Sequence, residues 1–183
     1  MASTLAFGFV LAVLLMALAR VDLARMILPD WLNGLVAVGG LCQALWLRDP
    51  DLIDAFLGAT LAGCLLLGVA IGYRRLRGVE GLGLGDVKLA AAGATWSGVA
   101  GVGPMLLVAT ASCSLIVLLG VLRGRPIDAQ ARIPFGPFLA LGMVLSFFAI
   151  ADQFRTGGGS FLTQRNFSTI AVQTATEIGR AHV

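Results

Sequence analysis

This chain has little charge, one lysine and one histidine. Only 13% of its 183 residues are Asp, Glu, Lys or Arg, against about a quarter in soluble domains. With 58% hydrophobic residues, that scarcity excludes a disordered chain, a nucleic-acid-binding module and an ordinary soluble enzyme. The histidine is His182 and the lysine is Lys88, so the usual nucleophile–base pairs are missing. Cys42, Cys64 and Cys113 stand singly with no C-x-x-C pair. They indicate neither a zinc site nor a disulfide framework and read as buried packing residues. No metal site and no cofactor are expected.

What the chain has instead is long apolar runs. Residues 1–19, 31–47, 55–73, 89–122 and 133–151 carry no charge, and runs of about 18 or more apolar residues read as membrane spans. As one helix the 89–122 block would measure about 51 Å, beyond a hydrocarbon core of about 30 Å, so it must fold back. Gly101, Gly103 and Pro104 place a tight turn near its middle. The expected fold is all-α, a polytopic membrane protein with six transmembrane helices.

Arginines follow alternate spans: Arg20 and Arg25, then Arg74, Arg75 and Arg77, then Arg123, Arg125 and Arg132. By the positive-inside rule these connections are cytoplasmic and both termini lie outside the cytoplasm. The net charge of +3 therefore encodes topology, and the expected partner is the lipid bilayer, not nucleic acid. Ala17-Leu18-Ala19 resembles a signal cleavage site, but no basic residue precedes the run and two follow it, so it reads as a retained span. Residues 1–154 form the expected membrane domain. Residues 155–183, opening on Gly157, Gly158 and Gly159, read as a flexible polar tail. Its end, 178–183, matches a translated sequencing adapter and is set aside, and His182 with it.

Carboxylates remain. Asp22, Asp30, Glu80, Asp86 and Asp128 all fall on the expected cytoplasmic side. Asp22 follows the first span closely. Asp86 ends Gly81-Leu82-Gly83-Leu84-Gly85-Asp86 and opens a fourth helix of about 22 Å, too short for the core, which sets it at or just below the membrane surface. Taken alone, Asp86 reads as an N-cap after a glycine-rich loop, and Asp22 as an interfacial partner of Arg25. No strand precedes the glycines, which excludes a dinucleotide loop. Brought together, two carboxylates hold one proton between them; one activates water while the other protonates a substrate carbonyl. That is peptide hydrolysis without histidine, serine or metal.

The motifs carry a resemblance. Gly83-Leu84-Gly85-Asp86-Val87-Lys88-Leu89 resembles the GxGD signature of the type IV prepilin peptidases. Asp22 followed by Ile27-Leu28-Pro29-Asp30 is similar to that family's first aspartate motif, and the segment from Ile133 through Pro134, Gly136 and Pro137 to Gly142 resembles the opening of its last span. The resemblance implies that Asp22 and Asp86 are the catalytic pair of an aspartic endopeptidase. Such an enzyme cuts the short basic leader from prepilin-like proteins after a glycine. It works at the cytoplasmic face of a bacterial or archaeal-type cytoplasmic membrane, with no cofactor.

Larger members carry an additional N-terminal part with cysteine pairs. With one span before Asp22 and no such pair, this chain looks like the short form of tight-adherence pilus systems, so methyltransferase activity is not expected. Among supporting residues, Gly83 and Gly85 would let the backbone approach substrate. Lys88 would orient substrate or headgroups, or simply snorkel. Pro134 and Gly136 would shape a helix entry beside the pair, and Asp30 would cap the helix that starts at Trp31. Two other classes stand beside this one: a small transporter or proton pathway using the same carboxylates, and an inactive scaffold of the same fold. The first is disfavoured by acidic residues near the membrane faces and by the lack of an inverted repeat.

Overall fold

The structure is a computed structural model and describes residues 2–25, 28–48, 50–79, 81–123 and 134–155. Glu80, Arg125, Asp128, Arg132 and the expected tail after residue 155 lie outside the described residues. The chain forms α1 (Ala2–Arg25), α2 (Asp30–Leu47), α3 (Leu52–Arg77), α4 (Leu84–Leu122) and α5 (Gly136–Arg155). Among the described residues there is no strand.

Local chemistry sets several of these ends. Asp51 caps α3, its side chain accepting the Asp54 N–H at 2.7 Å. Gly78 closes the same helix at φ 72°, a left-handed C-cap, after a last turn holding Arg74, Arg75 and Arg77. Ser3–Arg25, Leu52–Arg77 and Leu84–Leu122 are long and apolar enough to cross a membrane, and Gly136–Ala151 is a shorter apolar helix. Large apolar side chains such as Phe9, Met16, Trp46, Phe56 and Leu107 point outward, while Asp22, Asn33, Gln43, Asp86, Thr95, Ser97 and Ser146 are buried. Apolar outside and polar inside is the arrangement of a bundle solvated by lipid. It also corrects the reading of the cysteines. Cys42 and Cys64 are exposed and Cys113 is half-buried, because a thiol in lipid gains nothing by hiding in the core.

The 89–122 block folds back as expected, but the expected turn at Gly101–Pro104 is displaced. Helical bonding runs on through Pro104, and the break falls at Gly98, at φ 62° and ψ −165°. The two arms of α4 pack on α5 in opposite senses. Before the break, Gly93 abuts Met143, and the Trp96 ring meets Phe147 edge-on at 6.0 Å, so the first arm runs with α5. After it, Gly101 lies against Ile150 and the Met105 carbonyl against Gly142, so the second arm runs back.

Tertiary contacts choose the break. The Asp54 carboxylate accepts the Val99 N–H at 3.2 Å, capping the second arm from α3. A Cβ on Gly58 would stand 2.6 Å from the Gly98 carbonyl carbon, so only glycine lets α3 come this close.

Trp96 ties the middle of the bundle together. Its indole N–H donates to the Val36 carbonyl at 2.7 Å, its own carbonyl accepts from Gln43 at 3.3 Å, and its ring meets Phe7 edge-on. Gly39 leaves it room, since a Cβ there would stand 2.6 Å from the ring. These contacts align α2 with the first arm of α4, so that the starts of α2, α4 and α5 and the end of α1 gather at one end of the bundle. Asp51, Asp54 and Gly98 mark the other.

Candidate active site

Asp22 lies about one turn before the end of α1, and Asp86 lies in the first turn of α4. Both are buried, at 5% and 9% exposure. They belong to helices that make no close backbone contact among the described residues. α1 packs on α2 and α5, and α4 packs on α2, α3 and α5. The two carboxylates therefore stand on helices whose backbones are separated by a gap, near enough for the charge of Asp22 to act on Asp86.

Each carboxylate meets a helix N-terminus. Asp86 is not the N-cap, which corrects the simplest reading of it. α4 starts at Leu84 with Gly83 as its cap, and the Gly83 carbonyl accepts the Asp86 N–H at 3.1 Å. From the third helical position the Asp86 side chain turns back to the Gly83 amide, as the acidic member of a capping box does. Asp22 meets the amide of Gly136, the first residue of α5, where the orphan N–H groups of a helix start favour an anion. Gly136 is buried, and a Cβ on it would stand 2.5 Å from Asp22 Oδ2. Asp22 Oδ2 and Asp86 Oδ1 nevertheless have no hydrogen-bond partner among the described residues.

The other expected site residues separate. Gly83 is exposed at the mouth of the site, 3.4 Å from Asp86 Oδ2 by its notional Cβ. Gly85 makes room inside the protein, since a Cβ there would lie 3.0 Å from Leu28 Cβ in the α1–α2 connection. Lys88 donates to Asp30 Oδ1 at 2.8 Å, both side chains largely exposed. The pair joins the first turns of α4 and α2. Asp30 is the first helical residue and not the cap, which is Pro29, because proline supplies an extended cap conformation and Asp30 still gains from the helix dipole one position later. Pro134 lies half-buried two residues before α5.

Residues 9–121 match the model of the type IV leader peptidase family, a span that holds both aspartates. The chain belongs to the type IV leader peptidase family. It is 36% identical over 148 residues to a prepilin leader peptidase/N-methyltransferase of Burkholderia pseudomallei, covering 80% of this chain and 47% of that protein. It is 35% identical over 127 residues to one of Aeromonas salmonicida, covering 69% and 43%. To the leader peptidase HopD of Escherichia coli it is 36% identical over 151 residues, covering 76% of this chain and 90% of that one. The chain thus spans about half the length of the first two relatives. No solved structure matches. Membership of this family and the outward apolar helices together make the chain a multi-pass membrane protein.

In this leader peptidase fold one buried polar residue at the same end of the bundle as the aspartates escapes motif reading. Asn33 is 5% exposed, and neither amide atom has a hydrogen-bond partner among the described residues. Its signal in the sequence is helical spacing: Asn33, Val36, Gly40 and Gln43 form the buried stripe of α2.

Proposed function

We propose that this chain is a membrane-embedded aspartic endopeptidase that removes the basic leader of prepilin-like proteins, with Asp22 and Asp86 as its catalytic pair. The observation that carries the reading is the pairing of these two buried carboxylates across the α1–α4 gap, in a chain of the type IV leader peptidase family. The pair shares one proton, since two adjacent carboxylates do not both ionise readily. The ionised member takes a proton from a water in the gap as that water attacks the scissile carbonyl carbon. The protonated member gives its proton to the carbonyl oxygen. When the tetrahedral intermediate collapses, one of its hydroxyls returns its proton to the pair as the carbonyl re-forms, the C–N bond breaks and the leaving nitrogen takes a proton from the pair, so one water is consumed and the pair returns to its starting state. The two titrate as a unit, and acid and base are roles of the pair.

In the bilayer, the two arms of α4 count as separate passes. This gives six crossings with both termini outside the cytoplasm, and it sets the aspartates at the cytoplasmic face beside Arg25, Arg74, Arg75 and Arg77. A substrate whose apolar helix lies in the bilayer then presents its leader junction at the gap. The proposal covers peptide cleavage alone and not the methyl transfer in the relatives' names.

The test is cleavage of a precursor with a short basic leader ahead of an apolar helix, co-expressed with the full chain. A shortened product whose new N-terminus falls at the leader junction supports the reading, and an unprocessed precursor beside well-folded enzyme refutes it.

A further inference from the structure

Asn33 is a buried polar residue that neither the fold nor the aspartate pair explains. Both its Oδ1 and its Nδ2 are enclosed with no hydrogen-bond partner among the described residues. A buried amide left unpaired is costly, and native interiors pair nearly all such groups.

Its position gives it a use. Asn33 lies about one turn into α2, as Asp22 lies about one turn before the end of α1, so the two sit at the same depth below the connection that joins their helices. α2 packs on both α1 and α4, as α5 does, and so forms one wall of the gap between them. Contacts on either side fix its register against α4: Leu28 meets Gly85, Lys88 reaches Asp30, and Trp96 bonds Val36. Asn33 falls within that interval, on the inward stripe. Three helices thus bring unpaired buried polar atoms to one end of the bundle: Asp22 Oδ2, Asn33 Oδ1 and Nδ2, and Asp86 Oδ1.

We infer that Asn33 is a substrate-binding residue that hydrogen-bonds the peptide backbone next to the scissile bond. The assignment rests on the peptidase reading above. A carboxamide offers one acceptor and a pair of donors on a flat group, the complement of the N–H and C=O of an extended peptide. The aspartates are committed to water and the scissile carbonyl, so a neutral group is needed to hold the neighbouring peptide unit. Without a partner among the described residues, the amide gains its bonds when a chain enters the gap, so substrate binding relieves a cost that folding left in place.

The experiment compares Asn33→Leu, of nearly the same volume and without polar atoms, with the wild type and Asp22→Asn. It uses the full chain in detergent, the precursor probe named above, and a thermal melt of each protein. The expected result is a fall in kcat/KM of about 10- to 100-fold, with a melting temperature at or above that of the wild type. Wild-type cleavage by Asn33→Leu overturns the assignment while the peptidase reading stands. A lower melting temperature, or failure to fold, overturns it too, since Asn33 then supports the free structure. A wild type that leaves the probe intact refutes the peptidase reading itself and this assignment with it.

Discussion

Gly136 presses so closely on Asp22 that a Cβ added to it would stand 2.5 Å from Oδ2. The backbone of α5 therefore buttresses the α1 carboxylate directly, and any side chain at this position pushes the carboxylate away from its place opposite Asp86. Gly136→Ala is expected to lower cleavage by about 10- to 100-fold, the effect of misplacing a reacting group by roughly 1 Å, while the protein still folds. Single-turnover cleavage beside a thermal melt separates the two effects.

Trp96 fixes the depth at which α2 meets α4. Gly40→Ala would drive a Cβ into Thr95 and to 2.8 Å from the indole. Overpacking of this kind costs about 1–3 kcal/mol, so the melting temperature in detergent is expected to fall. Cleavage per folded molecule should fall with it, because Asn33 rides on the same helix.

Asp54 acts at the opposite end of the bundle. Removing the cap it gives Val99 in Asp54→Ala is expected to destabilise the fold by about 0.5–2 kcal/mol. Cleavage per folded molecule should stay within about twofold of the wild type, since the capped turn is remote from both aspartates. Denaturant titration and an activity assay at matched folded concentration check this.

The Lys88–Asp30 pair is exposed at 55% and 74% of its side chains, and surface pairs contribute about 0–1 kcal/mol. Lys88→Met and Asp30→Asn are each expected to change cleavage by less than about fivefold. A much larger loss in Lys88→Met alone would give the lysine a contact with substrate.

The aspartates were legible because polar residues are scarce in this sequence: few carboxylates exist, and Asp22 and Asp86 stand in motifs that resemble those of a known family. That the 89–122 block had to fold back was legible from its length. The place of the fold was not. Gly101, Gly103 and Pro104 carry the stronger local signal, yet Gly98 breaks the helix because Asp54 and Gly58, distant in sequence, cap and crowd it there. Asn33 stayed hidden for a related reason. One polar residue in an apolar run reads as tolerated until its neighbours show that its amide is enclosed and without a partner among the described residues. Asp30 and Asp86 were misread as caps because capping preference does not distinguish the cap itself from the acidic positions just inside the helix, where the dipole also favours them.

The most direct test of the central claim is the cleavage rate of Asp22→Asn, Asp86→Asn and the double variant on one precursor, each verified as folded. Residues that act as a unit lose activity non-additively. Each single substitution is therefore expected to abolish measurable processing, with the double variant no worse than either. Processing at the wild-type rate by either single variant would contradict the Asp22–Asp86 pair.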